Sequence, residues 1–415
     1  MSYSKSIFFI PVWFDQFKPF MNALENTGQW MPTDPQKFWV GYLFRYAADL
    51  TGNKDLFASF TLKDPASPGV YMFGEELQTE DPPVLEEVRF SCFATGVGFL
   101  EFWVSYAGWT AEQISNFSYM FKKATSKCNK SLPEGQRALY DAALRLVPVN
   151  TNAIPFFSAS ARFKYECNCF HFLHLDQPVP ETATLQSSVY RLSRSYRNDM
   201  PSPAESAYDV IYETGDGDYW GCCTEGLANI VYDIHDPGNE KRHYYLHNLK
   251  PQCLQTDYYF AYLLLLNQKY TAVEYIRIIS QSLSGSSRDT ENLNRRIILL
   301  KNTFSFNVIS DDSIVQNVYA KMCTVLEIRN LLENVIENEK QLELLQKSKH
   351  MNADRLSNKY LLGISILSLF SALIDAASYF DRVNGIRSFS TLLSFVCVLL
   401  ISVICVIWVF HSKRE

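Results

Sequence analysis

The sequence predicts an α+β domain, then a long amphipathic helix, then a C-terminal hairpin of two membrane-spanning helices. Three observations predict this. Residues 360–380 and 389–410 are apolar runs of 21 and 22 residues, and between Tyr360 and Phe410 only Asp375, Asp381, Arg382 and Arg387 are charged. Residues 314–359 contain neither Pro nor Gly and space their apolar side chains by three and four, as an amphipathic helix does. The first three hundred residues alternate short apolar and aromatic runs with Gly, Pro, Asp and Ser clusters, the pattern of strands, helices and turns.

Composition narrows the function. The chain has 415 residues, 47% hydrophobic and 20% charged, with a mean hydropathy of -0.10, which excludes a polytopic carrier built mostly of membrane helices. Its 29 Phe, 24 Tyr and 7 Trp exclude a disordered chain. Residues 340–415 carry nine Lys and Arg against five Asp and Glu, +4, so the remainder holds -10 of the formal -6. An acidic soluble part lacks the basic footprint that a nucleic-acid polymer requires. Ten cysteines without a disulfide framework, and an N-terminal apolar stretch too short for a signal peptide and broken by Pro11, point to a reducing cytoplasm.

Taken in order, the elements begin with a strand over Lys5 to Phe14. A hairpin follows over Val88 to Tyr106, turning at Gly96-Val97-Gly98. Thr110 and Gln113 have the spacing of a capping box for a helix running to about Lys123. Further strands are expected at 162–174 and 219–232. A helix at 256–283 is apolar all round from Tyr258 to Leu266, too short a run to span a membrane and so buried. A second helix at 289–304 follows the turn at Ser282 to Ser287. Residues 314–359 are read as one unbroken stalk helix of about 69 Å, its N-terminus favoured by Asp311, Asp312 and Ser313, and its length calls for a partner, most simply another copy. The resulting domains are 1–254, a sensor-like α/β unit; 255–310, an antiparallel helical layer; 311–359, the stalk; and 360–415, the two-span module with a basic tail.

Each apolar run matches the ~30 Å hydrocarbon layer at ~1.5 Å per residue. The eight-residue connector, Asp381 to Ser388, forces an antiparallel hairpin. Six basic residues (Lys347, Lys349, Arg355, Lys359, Lys413 and Arg414) flank its open end against Arg382 and Arg387 in the loop. This places both termini in the cytoplasm and the protein in the inner cell membrane.

In the first run Ser365, Ser368, Ser371, Asp375 and Ser378 recur at steps of 3, 3, 4 and 3, within an arc of roughly 140° at 100° per residue. A carboxylate within a span costs about 2.5–3.5 kcal/mol unless it meets water or a partner. A shared aqueous pathway removes that cost, and two helices cannot enclose one, so a homo-oligomer is implied. The competing explanation is close helix packing through small serines, with Asp375 hydrated at the interface.

Cys167, Cys169 and His171 share one strand face, with His174 on the other. The donor types suit zinc, but the CxxC spacing is absent and buried cysteine on a core strand is common. Cys222-Cys223 meets the same objection. Gly96-Val97-Gly98 allows backbone N–H groups to approach an anion, and tight-turn geometry explains it equally. Neither GxxxxGK[ST], HExxH nor GxSxG occurs. Acid–base pairs such as Asp233 with His235 or Glu225 with His247 arise by chance among 44 acids and 7 His, so an enzyme is not expected.

The order of parts resembles the CorA-like two-transmembrane family, funnel-shaped homopentameric magnesium channels whose first span lines the pore. The resemblance covers residues 255–415 in architecture. It implies a homo-oligomer, a pentamer, set in the lipid bilayer, with Mg2+ or another divalent cation as cargo. The family's Gly-Met-Asn should fall near 381–386, where Asp381-Arg382-Val383-Asn384-Gly385-Ile386 stands. Asn384 alone carries over to the pore mouth, and the missing Gly and Met put magnesium selectivity in doubt. TGVGFLEFWVSY (95–106), YWGCCTEGLANI (219–230) and YYFAYLLLLNQKYTAVEYI (258–276) resemble a divergent bacterial branch that includes type III CRISPR membrane effectors. That resemblance implies a cytoplasmic domain sensing a small nucleotide messenger, such as an adenylated S-adenosylmethionine, and perturbing the membrane. The candidate ligand residues are Arg89, Gly96, Gly98, Trp103, Arg162 and Trp220. A constitutive divalent-cation transporter and a membrane-tethered enzyme are the alternatives.

Overall fold

The computed structural model describes residues 3–65, 81–124, 145–148, 154–155, 167–197, 211–233, 238–283 and 290–384, apart from 39 and 216, with a few isolated positions beyond them. The chain divides into two compact units, Met1–Glu337 and Asn338–Glu415.

The first unit is built on a ten-stranded sheet in the order β2-β3-β4-β5-β1-β7-β10-β9-β8, with β6 paired to β1 off this path. β1 (Ser4–Trp13) lies at its centre because both its faces are apolar: nine of its ten residues are buried, and it pairs antiparallel with β5 (Val97–Ser105) and β7 (Asn168–Leu175). β2 (Trp30–Pro32), β3 (Phe57–Leu62) and β4 (Val84–Phe93) extend the sheet beyond β5 by antiparallel pairing. On the other side, β10 (Gly226–Tyr232) runs parallel to β7, and β9 (Asp218–Cys222) and β8 (Ile211–Gly215) close the edge. The short β6 is Ile154–Pro155.

Helices cover both faces. On one, α1 (Phe17–Asn26), α3 (Ala111–Ala124) and α4 (Thr182–Arg194) bury Phe8, Ile10 and Val12 of β1. Phe121 of α3 stacks on Phe8 at 4.0 Å between centroids. α2 (Arg45–Gly52) lies near β3. On the opposite face, Phe9 meets Tyr259 and Tyr262, which belong to a helical stretch that starts well before the 256 expected. It comprises α5 (Glu240–Tyr244), a π turn (Tyr245–Leu249), α6 (Lys250–Cys253), a second π turn (Leu254–Tyr258) and α7 (Tyr259–Leu283). Pro251 supplies the reason for the first widened turn: it has no N–H for the carbonyl of His247, and its ring would clash there in a regular helix. The helical layer expected at 255–310 therefore packs on the sheet within the first unit, with α8 (Thr290–Leu299) and a π turn (Leu300–Phe304) completing it.

Local signals set several element ends. Thr110 and Gln113 exchange both capping-box bonds, at 2.9 and 3.2 Å. Asp312 caps α9 (Ser313–Val325) by accepting from the N–H groups of Ile314 and Val315. Three readings are corrected. The hairpin turns at Ala94-Thr95-Gly96, and Gly98 is already paired within β5. The single strand expected at 219–232 is the two strands β9 and β10. The stalk is not one helix: it breaks at Glu327, whose φ is +53°, before α10 (Ile328–Asn384) begins. Leu326 and Ile328 are both buried; two residues apart they point about 200° from each other on a helix, so a straight one cannot bury both against the same surface.

Among the described residues no helix is long and apolar enough to cross a membrane. Residues 360–380 are helical within α10, with several of their side chains outside the description. The second run, 389–410, lies outside the described residues apart from isolated positions, so the hairpin rests on the sequence.

Candidate functional site

The parallel pair β7 and β10 sends its carboxyl ends to one edge of the sheet, the place where open α/β sheets commonly bind ligands. His174 is the penultimate residue of β7, and Asp233 follows β10 directly, its N–H held by the carbonyl of Leu175 at 3.1 Å. α5 and the π turn after it bring His243 and His247 over this edge. The three imidazoles converge on one carboxylate oxygen. From Asp233 Oδ2, His243 Nδ1 is 3.2 Å away, His247 Nε2 3.4 Å and His174 Nε2 3.9 Å. The guanidinium of Arg242 holds the other oxygen, Oδ1. His174 and Asp233 are buried, whereas His243 and His247 are partly open to solvent.

His174 stacks on Tyr3, with centroids 5.1 Å apart, and meets the edge of His247 at 4.2 Å. Neither of its ring nitrogens has a hydrogen-bond partner. Burial, reinforced by His247, holds its pKa down at about 4, and burial with His243 likewise lowers His247. Burial pushes Asp233 the other way, but the hydrogen bonds from His243 and Arg242 overcome it and keep the carboxyl below the usual range. Neutral imidazoles facing a carboxylate are the protonation states that a cation-binding centre needs.

The Cys167, Cys169 and His171 group does not assemble into such a centre. His171 is a satisfied core residue, with Ser6 Oγ 2.6 Å from Nδ1 and Ser195 Oγ 3.2 Å from Nε2. Glu225 pairs with Lys122 rather than His247. His235 lies outside the described residues.

The candidate ligand residues are dispersed. Arg89 and Trp103 do meet, the guanidinium 4.1 Å over the indole, but both are buried in the sheet beneath α7. Arg89 is also paired with Glu87, and the buried Glu101 beside it accepts from Tyr259 Oη at 2.7 Å. Burial raises the Glu101 pKa. Trp220, on β9, is fully buried against Tyr258 and lies under the Lys250 ammonium, which pairs with Asp218. Arg162 lies outside the described residues. Gly98 is packed against Phe90.

Gly96 lies against Arg296, a residue that lines a cavity. Its φ of +93° requires glycine, and a Cβ there would stand 2.7 Å from Arg296 Nη1. Arg296 in turn lies 5.4 Å over Trp13, which meets Tyr275 edge-on. Trp13, Gln16, Tyr275, Arg277, Arg296 and Asp15 line this cavity of about 340 Å³, the lower end of the range for small-molecule sites. Arg277 is committed to Glu274, while Arg296 makes no ion pair among the described residues.

Of the pore candidates, Ser365, Ser368, Ser371 and Asp375 are exposed on α10, and the side chains of Ser378 and Asn384 lie outside the description. No family model, curated protein or solved structure matches the chain. What fold and site define is thus a class by geometry alone: a mixed α/β unit with a histidine–carboxylate centre at the ends of its parallel strands.

Proposed function

We propose that the protein is a CorA-like oligomeric membrane effector, in which the first unit senses a small nucleotide-type ligand and several copies of residues 360–410 form a pore. The surface of α10 carries this reading. Leu361, Ile364 and Leu367 are 58, 62 and 70% exposed, on the same helix as the exposed Ser365, Ser368, Ser371 and Asp375. An apolar run left this open in one chain is stable only against lipid or further copies, and a serine and aspartate stripe within it is suited to water. The serine stripe supplies a polar face to a shared axis, with Leu361, Ile364 and Leu367, one turn before Ser365, Ser368 and Ser371, packing against neighbouring copies. Leu362 and Ile366, on the far side of the helix, face lipid.

The cavity beside Gly96 supports the sensing part. A guanidinium over an indole and a second aromatic ring are groups that can hold a base and a phosphate. Binding there would act on α7 and α8, which contribute Tyr275 and Arg296.

The test is flux from liposomes containing the purified chain, with adenylated nucleotides added. Ligand-dependent flux that is lost in Asp375→Asn with Ser368→Val, while nucleotide binding persists, supports the reading. Arg296→Glu should remove binding and flux together. A monomer in detergent, or flux indifferent to Asp375 and Ser368, overturns it.

A further inference from the structure

We propose that His174, Asp233 and His247 form a binding site for one divalent transition-metal ion of the zinc class, independent of the pore and of the nucleotide cavity. Three features of the cluster lead to it.

The first is the orphaned imidazole. His174 is fully buried, and neither ring nitrogen has a hydrogen-bond partner. Leaving a buried polar group unmade is costly, so such a side chain in a native core needs a partner. Its Nε2 faces Asp233 Oδ2 at 3.9 Å, beyond a hydrogen bond but suited to a shared ion.

The second is distance. Donors about 2.0–2.2 Å from one tetrahedral ion stand roughly 3.4 Å from each other. One ligand atom from each of His174, Asp233 and His247 lies within 4.8 Å of the others, and His247 Nε2 is 3.4 Å from Asp233 Oδ2. Small side-chain adjustments close the remainder.

The third is how the carboxylate is held. Arg242 occupies Oδ1 and leaves Oδ2 to the histidines, the arrangement by which an outer partner orients a metal-binding carboxylate. His243 hydrogen-bonds Oδ2 from the solvent side at 3.2 Å. A network of hydrogen bonds alone accounts for His243 and Arg242, but not for His174.

Two imidazoles and one carboxylate select Zn2+, Co2+ and their neighbours over Mg2+ and Ca2+, which prefer oxygen. Three protein ligands leave a fourth position for water on a tetrahedral ion, and His247, one of the three, is partly exposed. The ion would tie the ends of β7 and β10 to the π turn that carries His247.

The experiment uses the full-length protein in detergent, stripped with a chelator and titrated with Co2+, followed by visible absorption and by the thermal midpoint. The expected result is one Co2+ per chain with d–d bands and no thiolate-to-cobalt charge transfer, displaced by Zn2+ and not by Mg2+, and a metal-dependent rise in the midpoint. His247→Ala, at a partly exposed position, and Asp233→Asn should each weaken binding at least tenfold and abolish that rise, with unchanged circular dichroism. If either variant fails to fold, His247→Gln supplies the comparison. Absence of stoichiometric binding, a thiolate charge-transfer band, or affinity unaltered in the folded variant overturns the proposal.

Discussion

The Arg89 guanidinium lies 4.1 Å over the indole of Trp103, on neighbouring strands β4 and β5. Glu87 pairs with the same guanidinium, and Trp103 Nε1 donates to the buried Glu101 at 3.2 Å. The arginine and tryptophan that looked available to a nucleotide are thus consumed within the sheet, beneath Tyr259. Arg89→Lys keeps the charge but loses the planar fork and the stacking. It should cost about 2–4 kcal/mol by leaving buried partners uncompensated, read as a lower thermal midpoint of the purified protein. Nucleotide affinity at the Arg296 cavity should change less than twofold.

Glu87 predicts an acid dependence. Burial opposes its ionisation, but Arg89 and Lys37 overcome that and bring its pKa down to about 2. A carboxyl whose folded pKa lies below its unfolded value contributes stability that is fully present above pH ~4.5 and is lost as pH falls toward 2. Glu87→Gln should therefore destabilise the protein at pH 7 and have progressively less effect between pH 4.5 and 2. Denaturation midpoints of both proteins across that interval check the sign: a difference that widens on acidification refutes it.

Lys250 and Asp218 form a buried pair over Trp220. Burial depresses the Lys250 pKa, with Asp218 acting in the opposite direction. Asp218 also accepts from Thr214 Oγ1 at 2.6 Å and Asn229 Nδ2 at 2.7 Å. Lys250→Met removes the cation and strands a carboxylate among neutral donors, at a cost of about 3–5 kcal/mol. Adding Asp218→Asn should recover part of that loss, because the stranded charge disappears. A double variant less stable than the single one would show that the pair is held together by something other than its mutual charge.

Local chemistry made much of the fold legible. β1 announced itself by the apolar residues from Ile7 to Trp13, α3 by Thr110 and Gln113, and α9 by Asp312, because each signal acts within four residues of the element it sets. The break at Glu327 was invisible because no Gly or Pro marks it; the burial of both Leu326 and Ile328 decides it, and burial is a tertiary fact. The histidine–carboxylate centre draws on β7, on the end of β10 and on the turn before Pro251, so no sequence window contains it. One trace was available, the i, i+4 pair His243 and His247. The spacing alone does not establish a helix, and it is the π turn before Pro251 that brings both imidazoles over Asp233.

The proposed pore makes a geometric prediction about α10. If Ser365, Ser368, Ser371 and Asp375 face a common axis, equivalent positions on symmetry-related copies approach one another there, while positions on the opposite face stay separated by the width of the bundle. Ile366 is two residues from Ser368, about 200° around the helix, and so lies on the opposite face. Ser368→Cys and Ser371→Cys should give oxidant-dependent covalent dimers in membranes, with Ile366→Cys remaining at the background set by the native Cys397 and Cys405. The readout is non-reducing electrophoresis of membranes expressing each variant. Cross-linking of Ile366→Cys in preference to Ser368→Cys would place the serines against lipid or the second run and remove them from any shared pathway, and equal background at all three would leave α10 without a neighbouring copy at this level of the membrane.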